Sequence, residues 1–293
     1  MSESDALCPT EEVLLNETPP APSAACIVPP TPVSALIEVG FAQTLSDQAL
    51  RRAELLDPSK ITVLTCGTGS PVPSDRAQSC LAVFVNGKFL LFDAGDRAQE
   101  SMEDLNLPVT DIEAIFLTHF HSDHVADLGE VISRTWILGR TEPVTVYGGF
   151  GVEYIVNAFN AVYAADEDYR IAHHGEEIFP VELLATADTI LEVGPEGRVI
   201  YDVDGVRVLA FIVDHSPVGV ALGYRVEYAG KVVGVSGDTI DTAGLRALSA
   251  NADVLVSDVM NKSLWKKPSV LSVVFPNPGL RRYSEIYALT TLM

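Results

Sequence analysis

Basic charge is what this 293-residue chain has least of: 19 Lys and Arg stand against 40 Asp and Glu, a formal net charge of -21. A field of that sign repels phosphate backbones, and the few cations are scattered rather than gathered in a patch. It argues against a polynucleotide partner, although acidity also serves solubility alone. The four cysteines, Cys8, Cys26, Cys66 and Cys80, form no C-x-x-C pair, so a thiolate zinc site is not expected. Their spread fits reduced thiols of a cytoplasmic protein better than a disulfide framework. The acidic start, MSESDALCPTEE, lacks the basic region of a secretory signal. The apolar stretch from Ala24 to Ala42 is interrupted by Pro29, Pro30 and Pro32, which makes it a poor membrane span, and no membrane partner is expected. Gly67 and Gly69 lack the Lys-Ser/Thr ending of a phosphate-binding P-loop.

What is present is apolar and patterned. Hydrophobic residues are 47% of the chain, enough for a sizeable core. Residues 1–40, rich in Pro, Ala, Ser and Thr, read as a flexible head, and 41–60 as a short helical lead-in ending at Asp57-Pro58. From Ile61 to about residue 260 buried strands, hairpins and helices follow one another. ITVLTC and IEAIFLTH read as buried strands. Hairpins are expected around Asn86-Gly87, Asp204-Gly205 and Ala229-Gly230. Helices are expected near Asp96, over Val125–Leu138, over Val152–Tyr163 and over Thr242–Ser249, while 164–195 is ambiguous. The pattern predicts an α/β layered fold with mixed sheets. Residues 261–293 show no strand–helix alternation and read as an atypical tail.

The informative segment is LTHFHSDHVADLG. Three of the six histidines fall within six residues, at His119, His121 and His124, with Asp123 among them. His119 and His121, two apart at a strand end, point to one side and can share an ion. Asp123 and His124, where the chain turns into a helix, can face a second. Imidazole and carboxylate without thiolate suit zinc, and also manganese or iron. His215, closing FIVDH, and Asp238, in VSGDT, sit at strand ends, where α/β folds place chemistry. A lone strand-end histidine is more often structural, so His215 joins the cluster only with support from elsewhere.

H-x-H-x-D-H on a strand–loop–helix resembles the hallmark of the metallo-β-lactamase superfamily. CGTGSPVP, FDAGDRAQ, DHSPVGVALGYR and VSGDT resemble, in order, motifs of its ribonuclease Z and arylsulfatase-like branch. The resemblance covers roughly residues 61–260 and implies an αββα sandwich of two mixed sheets, with the last strand and helix incomplete. It implies a first ion on His119, His121 and His215, a second on Asp123 and His124, and Asp238 bridging them. Asp93 would orient a ligand histidine by accepting a hydrogen bond. A hydroxide between two zinc ions would be the nucleophile, with Asp123 and Asp258 as the catalytic carboxylates. A homodimer is compatible with the resemblance.

The chain departs from the branch in one respect. Relatives carry a further histidine that completes the second site, and none follows His215 here. The histidine partner expected for Asp258 is likewise missing. One tight and one weak metal site are therefore expected, and the tail from Lys262 reads as an atypical or truncated end. His173 and His174, neighbours on a loop or strand, read as a surface pair rather than substitute ligands. Three functions follow. The first is a zinc-dependent hydrolase of small-molecule esters such as aryl sulfates or phosphodiesters. The second is a ribonuclease Z-like endonuclease for tRNA 3′ ends, disfavoured by the acidity and by the tight VEYAGKVVGVS hairpin, which leaves no room for a tRNA-gripping arm. The third is a catalytically impaired binding or regulatory protein.

Overall fold

The computed structural model describes residues 47–259, 270–274 and 289–292. The expected flexible head, and Cys8 and Cys26 within it, lie outside the described residues, as does most of the tail. Helix α1 (47–55) leads into β1 (Ile61–Gly67), β2 (Cys80–Val85) and β3 (Lys88–Phe92). Then come α2 (Ala98–Asp104), β4 (Ile112–Phe116), α3 (Ser122–Val125), α4 (Leu128–Ile137), β5 (Thr145–Gly148), α5 (Val152–His174) and β6 (Thr186–Thr189). The second half runs through β7 (Arg198–Val203), β8 (Val206–Val213), β9 (Ala221–Tyr228), β10 (Lys231–Val235), α6 (Ala243–Leu248) and β11 (Val254–Val259).

The three expected hairpins form. Each turns on two residues with positive φ, Asn86-Gly87, Asp204-Gly205 and Ala229-Gly230, whose twist matches that of the strands they join. The first third of the ambiguous stretch resolves into helix, α5 continuing eleven residues past Tyr163 to His174, and β6 forms further along it. The tail contributes two strands the sequence did not suggest, β12 (Val270–Val274) and β13 (Leu289–Leu292). Both are short runs without clear alternation, and each is an edge strand whose partner is already in place: β12 pairs with β11 and β13 with β1.

Two mixed sheets result, ordered β13-β1-β2-β3-β4-β5-β6 and β12-β11-β10-β9-β8-β7. Alternate residues of each strand face the other sheet, so Val63, Val83, Leu90, Phe116, Val208, Tyr224 and Val233 share one buried cluster. Phe92, Phe116 and Tyr224 meet there with ring centroids 5.0–5.6 Å apart, each pair adding about 1 kcal/mol beyond its burial. The opposite faces pack on helices: Leu64, Leu91 and Ile115 with Met102, Val131 and Val156 on one side, and Phe211 with Leu248 on the other. This is the αββα sandwich. Tyr224 also donates its hydroxyl proton to the carbonyl of Leu117, 2.6 Å away, tying β9 to the chain just before the histidine motif.

The expectation of reduced thiols fails for one pair: Cys66 and Cys80 form a disulfide. They close β1 and open β2, which pair antiparallel with an irregularity at Gly67, and this brings their Cα atoms to 4.9 Å. Spacing along the sequence does not reveal that cross-strand proximity.

Candidate metal centre

The motif is carried by loops rather than by the strand. β4 ends at Phe116, and His119 and His121 follow in the connection to α3, whose first turn holds Asp123 and His124. His215 lies just beyond β8, Asp238 just beyond β10, and Asp258 within β11. These segments lie side by side at one edge of the sandwich. Gly95 and Gly237 permit the approach. A Cβ at Gly95 would lie 2.1 Å from the carbonyl oxygen of Asp123, and one at Gly237, where φ is +58°, 2.8 Å from Cβ of Thr118.

Two triads of donors form, each with one atom per residue lying within 4.8 Å of the others: His119, His121 and His215, and His119, His124 and Asp238. In the first, Nδ1 of His121 is 3.0 Å from Nε2 of His119 and 3.2 Å from Nε2 of His215. Zinc–nitrogen bonds at tetrahedral angles would place such nitrogens roughly 3.3 Å apart. Asp238 stands between the triads, Oδ1 3.4 Å from Nε2 of His124 and Oδ2 3.5 Å from Nε2 of His215. Its Oδ1 is buried yet makes no well-directed hydrogen bond, as expected of an atom aimed at a cation. Nitrogen and carboxylate donors converging in this way fit a divalent metal ion.

Behind the triads, Asp93 holds the framework. Its carboxylate is 2.7 Å from Nδ1 of His124 and accepts from the Thr118 amide at 2.8 Å, the Thr118 hydroxyl at 2.9 Å and the Ser79 hydroxyl at 3.3 Å. Asp93 has φ +58°, a conformation that aspartate tolerates better than most residues. Burial, and then the charge on His124, pull the His119 pKa down to about 4. Burial opposes protonation of His124 too, but Asp93 and Asp238 outweigh it and hold its pKa well above the usual value. Burial pushes both Asp238 and Asp258 upward. For Asp238 the nearby His124 and the protonated Asp258 win, holding it far below the carboxylate range. Asp258, hydrogen-bonded to Asp238, stays well above that range, so the pair's proton resides on Asp258. A cavity of 250 Å³, lined by Asp214, His215, Ser216, Asp238, Ile240 and Asp258, opens beside them.

A family described as "Anti-Pycsar protein Apyc1" matches residues 61–148. A ribonuclease Z of Mycobacterium sp. (strain KMS) is 38% identical over 207 residues, 70% of this chain and 70% of that protein. The chain belongs to the ribonuclease Z family. A second ribonuclease Z, from Mycolicibacterium paratuberculosis (strain ATCC BAA-968 / K-10), is 36% identical over 208 residues, 70% of this chain and 72% of that one. The crystal structure of human tRNase Z, short form, superposes with a TM-score of 0.54 at 21% identity, covering 70% of this chain and 81% of the other. That likeness shows the metallo-β-lactamase fold. The family is one of hydrolases acting on ester bonds.

Within this ribonuclease Z member, most of the residues singled out from sequence meet. His119, His121, His124, His215 and Asp238 converge, and Asp93 and Asp258 back them. Asp123 is displaced from its expected place. Its Oδ2 is 3.8 Å from Nε2 of His124, and His119 completes the second triad instead. His173 and His174 lie on the last turn of α5, not on a loop or strand, and are exposed. The helix starts beside Phe120, and its 22 residue steps carry them roughly 33 Å along its axis. They cannot substitute for the missing histidine. Thr118 and Ser79, which share Asp93, were not visible as site residues. Thr118 could have been suspected, since it directly precedes the first histidine. No described helix is long and apolar enough to cross a membrane.

Proposed function

We propose that this chain is a zinc-dependent phosphodiesterase that cleaves RNA in the manner of its ribonuclease Z relatives, with precursor tRNA 3′ ends as the first substrate to try. The 38% identity to a ribonuclease Z over 70% of both chains carries this reading. It supports the RNA reading over the aryl sulfate reading expected from sequence. Small phosphodiesters are the second reading. The net charge of -21 favours them, as does the two-residue turn between β9 and β10, which leaves no arm there for gripping tRNA.

His119, His121 and His215 would hold one ion, and His124 and Asp238 the other, with Asp123 at its edge, because His119 has only Nε2 free to bind and can serve one ion. Manganese or iron would suit the same donors. When bound, divalent ions would supply Lewis acidity towards a phosphoryl oxygen and make a water more acidic. Asp93 fixes the His124 ring so that Nε2 faces the centre. Asp238 spans the triads and keeps both carboxylate oxygens directed inward. Asp258, which holds a proton next to Asp238 and lines the cavity, is placed to deliver it to the leaving oxygen, and Asp123 to take one from the attacking water. A cytoplasmic location and a homodimer remain part of the proposal, tested by fractionation and by sedimentation.

Purified protein loaded with zinc should cleave precursor tRNA at physiological salt, and a His119→Ala variant should not. Turnover of bis-p-nitrophenyl phosphate without any RNA cleavage would move the small-ester reading to first place. If neither substrate is turned over while metal is bound, the chain is a non-catalytic member of the fold.

A further inference from the structure

Between β5, which ends at Gly148, and α5 the chain makes a turn of three residues, Gly149-Phe150-Gly151. These glycines lie against the segments that lead to the metal centre. A Cβ at Gly148 or Gly151 would lie 3.4 Å from one edge or the other of the Phe120 ring, and Phe120 separates His119 from His121. A Cβ at Gly149 would lie 2.7 Å from Cγ1 of Val220, five residues beyond His215. The turn thus packs against two of the segments that carry histidines, and a side chain at Gly149 would crowd Val220.

Phe150, the one residue of the turn with a side chain, is held out into solvent and is 73% exposed. Tyr154, in the first turn of α5, is 78% exposed. Val220, against Gly149, is 36% exposed. Scattered apolar residues on a surface are ordinary. Phe150 differs in standing on a turn that packs against a metal-binding loop. The rest of the chain adds a reason for it. With a net charge of -21, an RNA gains little from phosphate neutralisation. Stacking of bases on aromatic rings needs no positive charge and is indifferent to sequence.

We propose that Phe150 is the platform on which the nucleobase adjoining the cleaved phosphodiester stacks. This rests on the reading of the chain as an RNA phosphodiesterase. It adds a residue that positions the substrate without touching the metal or the reacting atoms.

The test is a titration of the full chain, zinc-loaded, with short fluorescein-labelled single-stranded RNAs read by anisotropy. One series carries all its bases, and another has a single abasic nucleotide walked along the strand. Phe150→Ala should weaken binding of the intact RNA about tenfold, the size of one base–aromatic stack. It should leave unchanged the binding of the RNA that is abasic at the stacked position. Phe150→Trp should restore affinity, and Tyr169→Ala, on an exposed part of α5 far from the turn, should behave as wild type. Zinc content should be equal in all four proteins. Equal affinity of the wild type and Phe150→Ala overturns the proposal. So does a loss that is the same whichever nucleotide is abasic, or a wild type that binds none of the RNAs. The two readings fail separately. Phe150-dependent binding without cleavage removes the ribonuclease reading and keeps the platform, while cleavage with an unchanged KM in Phe150→Ala removes the platform alone.

Discussion

His119, His121 and His215 meet near the surface, where His121 is exposed and His215 half-buried, whereas His119, His124 and Asp238 meet deeper in the protein. The outer triad has the larger number of histidines. The inner one has the support: Asp93 lies against His124 and is itself held by Thr118 and Ser79. Ligand count read from sequence makes the outer site the tight one and the inner site weak. Preorganisation acts the other way, because ligands already held in place lose less freedom on binding. The comparison teaches that a donor's worth depends on what fixes it, and it can be broken by experiment.

His119 lies deepest of the outer triad and has one nitrogen free to bind, so His119→Ala should have the largest effect. The ion of that triad should be lost on dialysis, and hydrolysis should fall at least about a thousandfold, as read by metal analysis and a chromogenic phosphodiester. Retention of both ions would mean that this ring binds neither.

Asp258→Asn separates proton transfer from metal binding. The rate should drop by about two orders of magnitude, within the range of general acid catalysis, with the metal content unchanged. A parallel loss of metal would make Asp258 a ligand instead.

Asp93→Asn addresses the inner triad alone. It should weaken one of two metal-binding steps by about 10- to 100-fold, while His121→Ala should weaken the other. Calorimetric titration of metal-depleted protein resolves the two steps. If both variants weaken the same step, the inner and outer sites are a single site.

The smallest effect is expected at the far end of α5. His173→Ala combined with His174→Ala should leave metal stoichiometry and kinetics at wild-type values, since helix length keeps that pair away from the centre. A fall in metal content would reopen the question of substitute ligands.

Much of this was legible in the sequence, and for definite reasons. Short continuous apolar runs marked β1 to β4, and Asn86-Gly87 and Asp204-Gly205 marked turns, because those signals depend only on neighbours along the chain. The H-x-H-x-D-H cluster was legible for the same reason. The misreadings share the opposite property. α5 was ended too early because its outer half buries so little that it has almost no apolar periodicity. β12 and β13 were missed because an edge strand is decided by the partner that receives it. Cys66 and Cys80 were taken for thiols because only the β1–β2 register brings them together.

Sequence alone determined the kinds of donor, their number and the family pattern that holds them, because each is written in a short contiguous motif. Which of those donors face one another was decided only by the tertiary structure. Five loops and strand ends, among them His121 and His215, 94 residues apart, are brought to one edge by two sheets packed face to face. The glycines at 95 and 237 let the backbones close, and Asp93 turns His124 inward. The same packing moved His119 into both triads, set Asp123 aside and left Phe150 exposed over the rim.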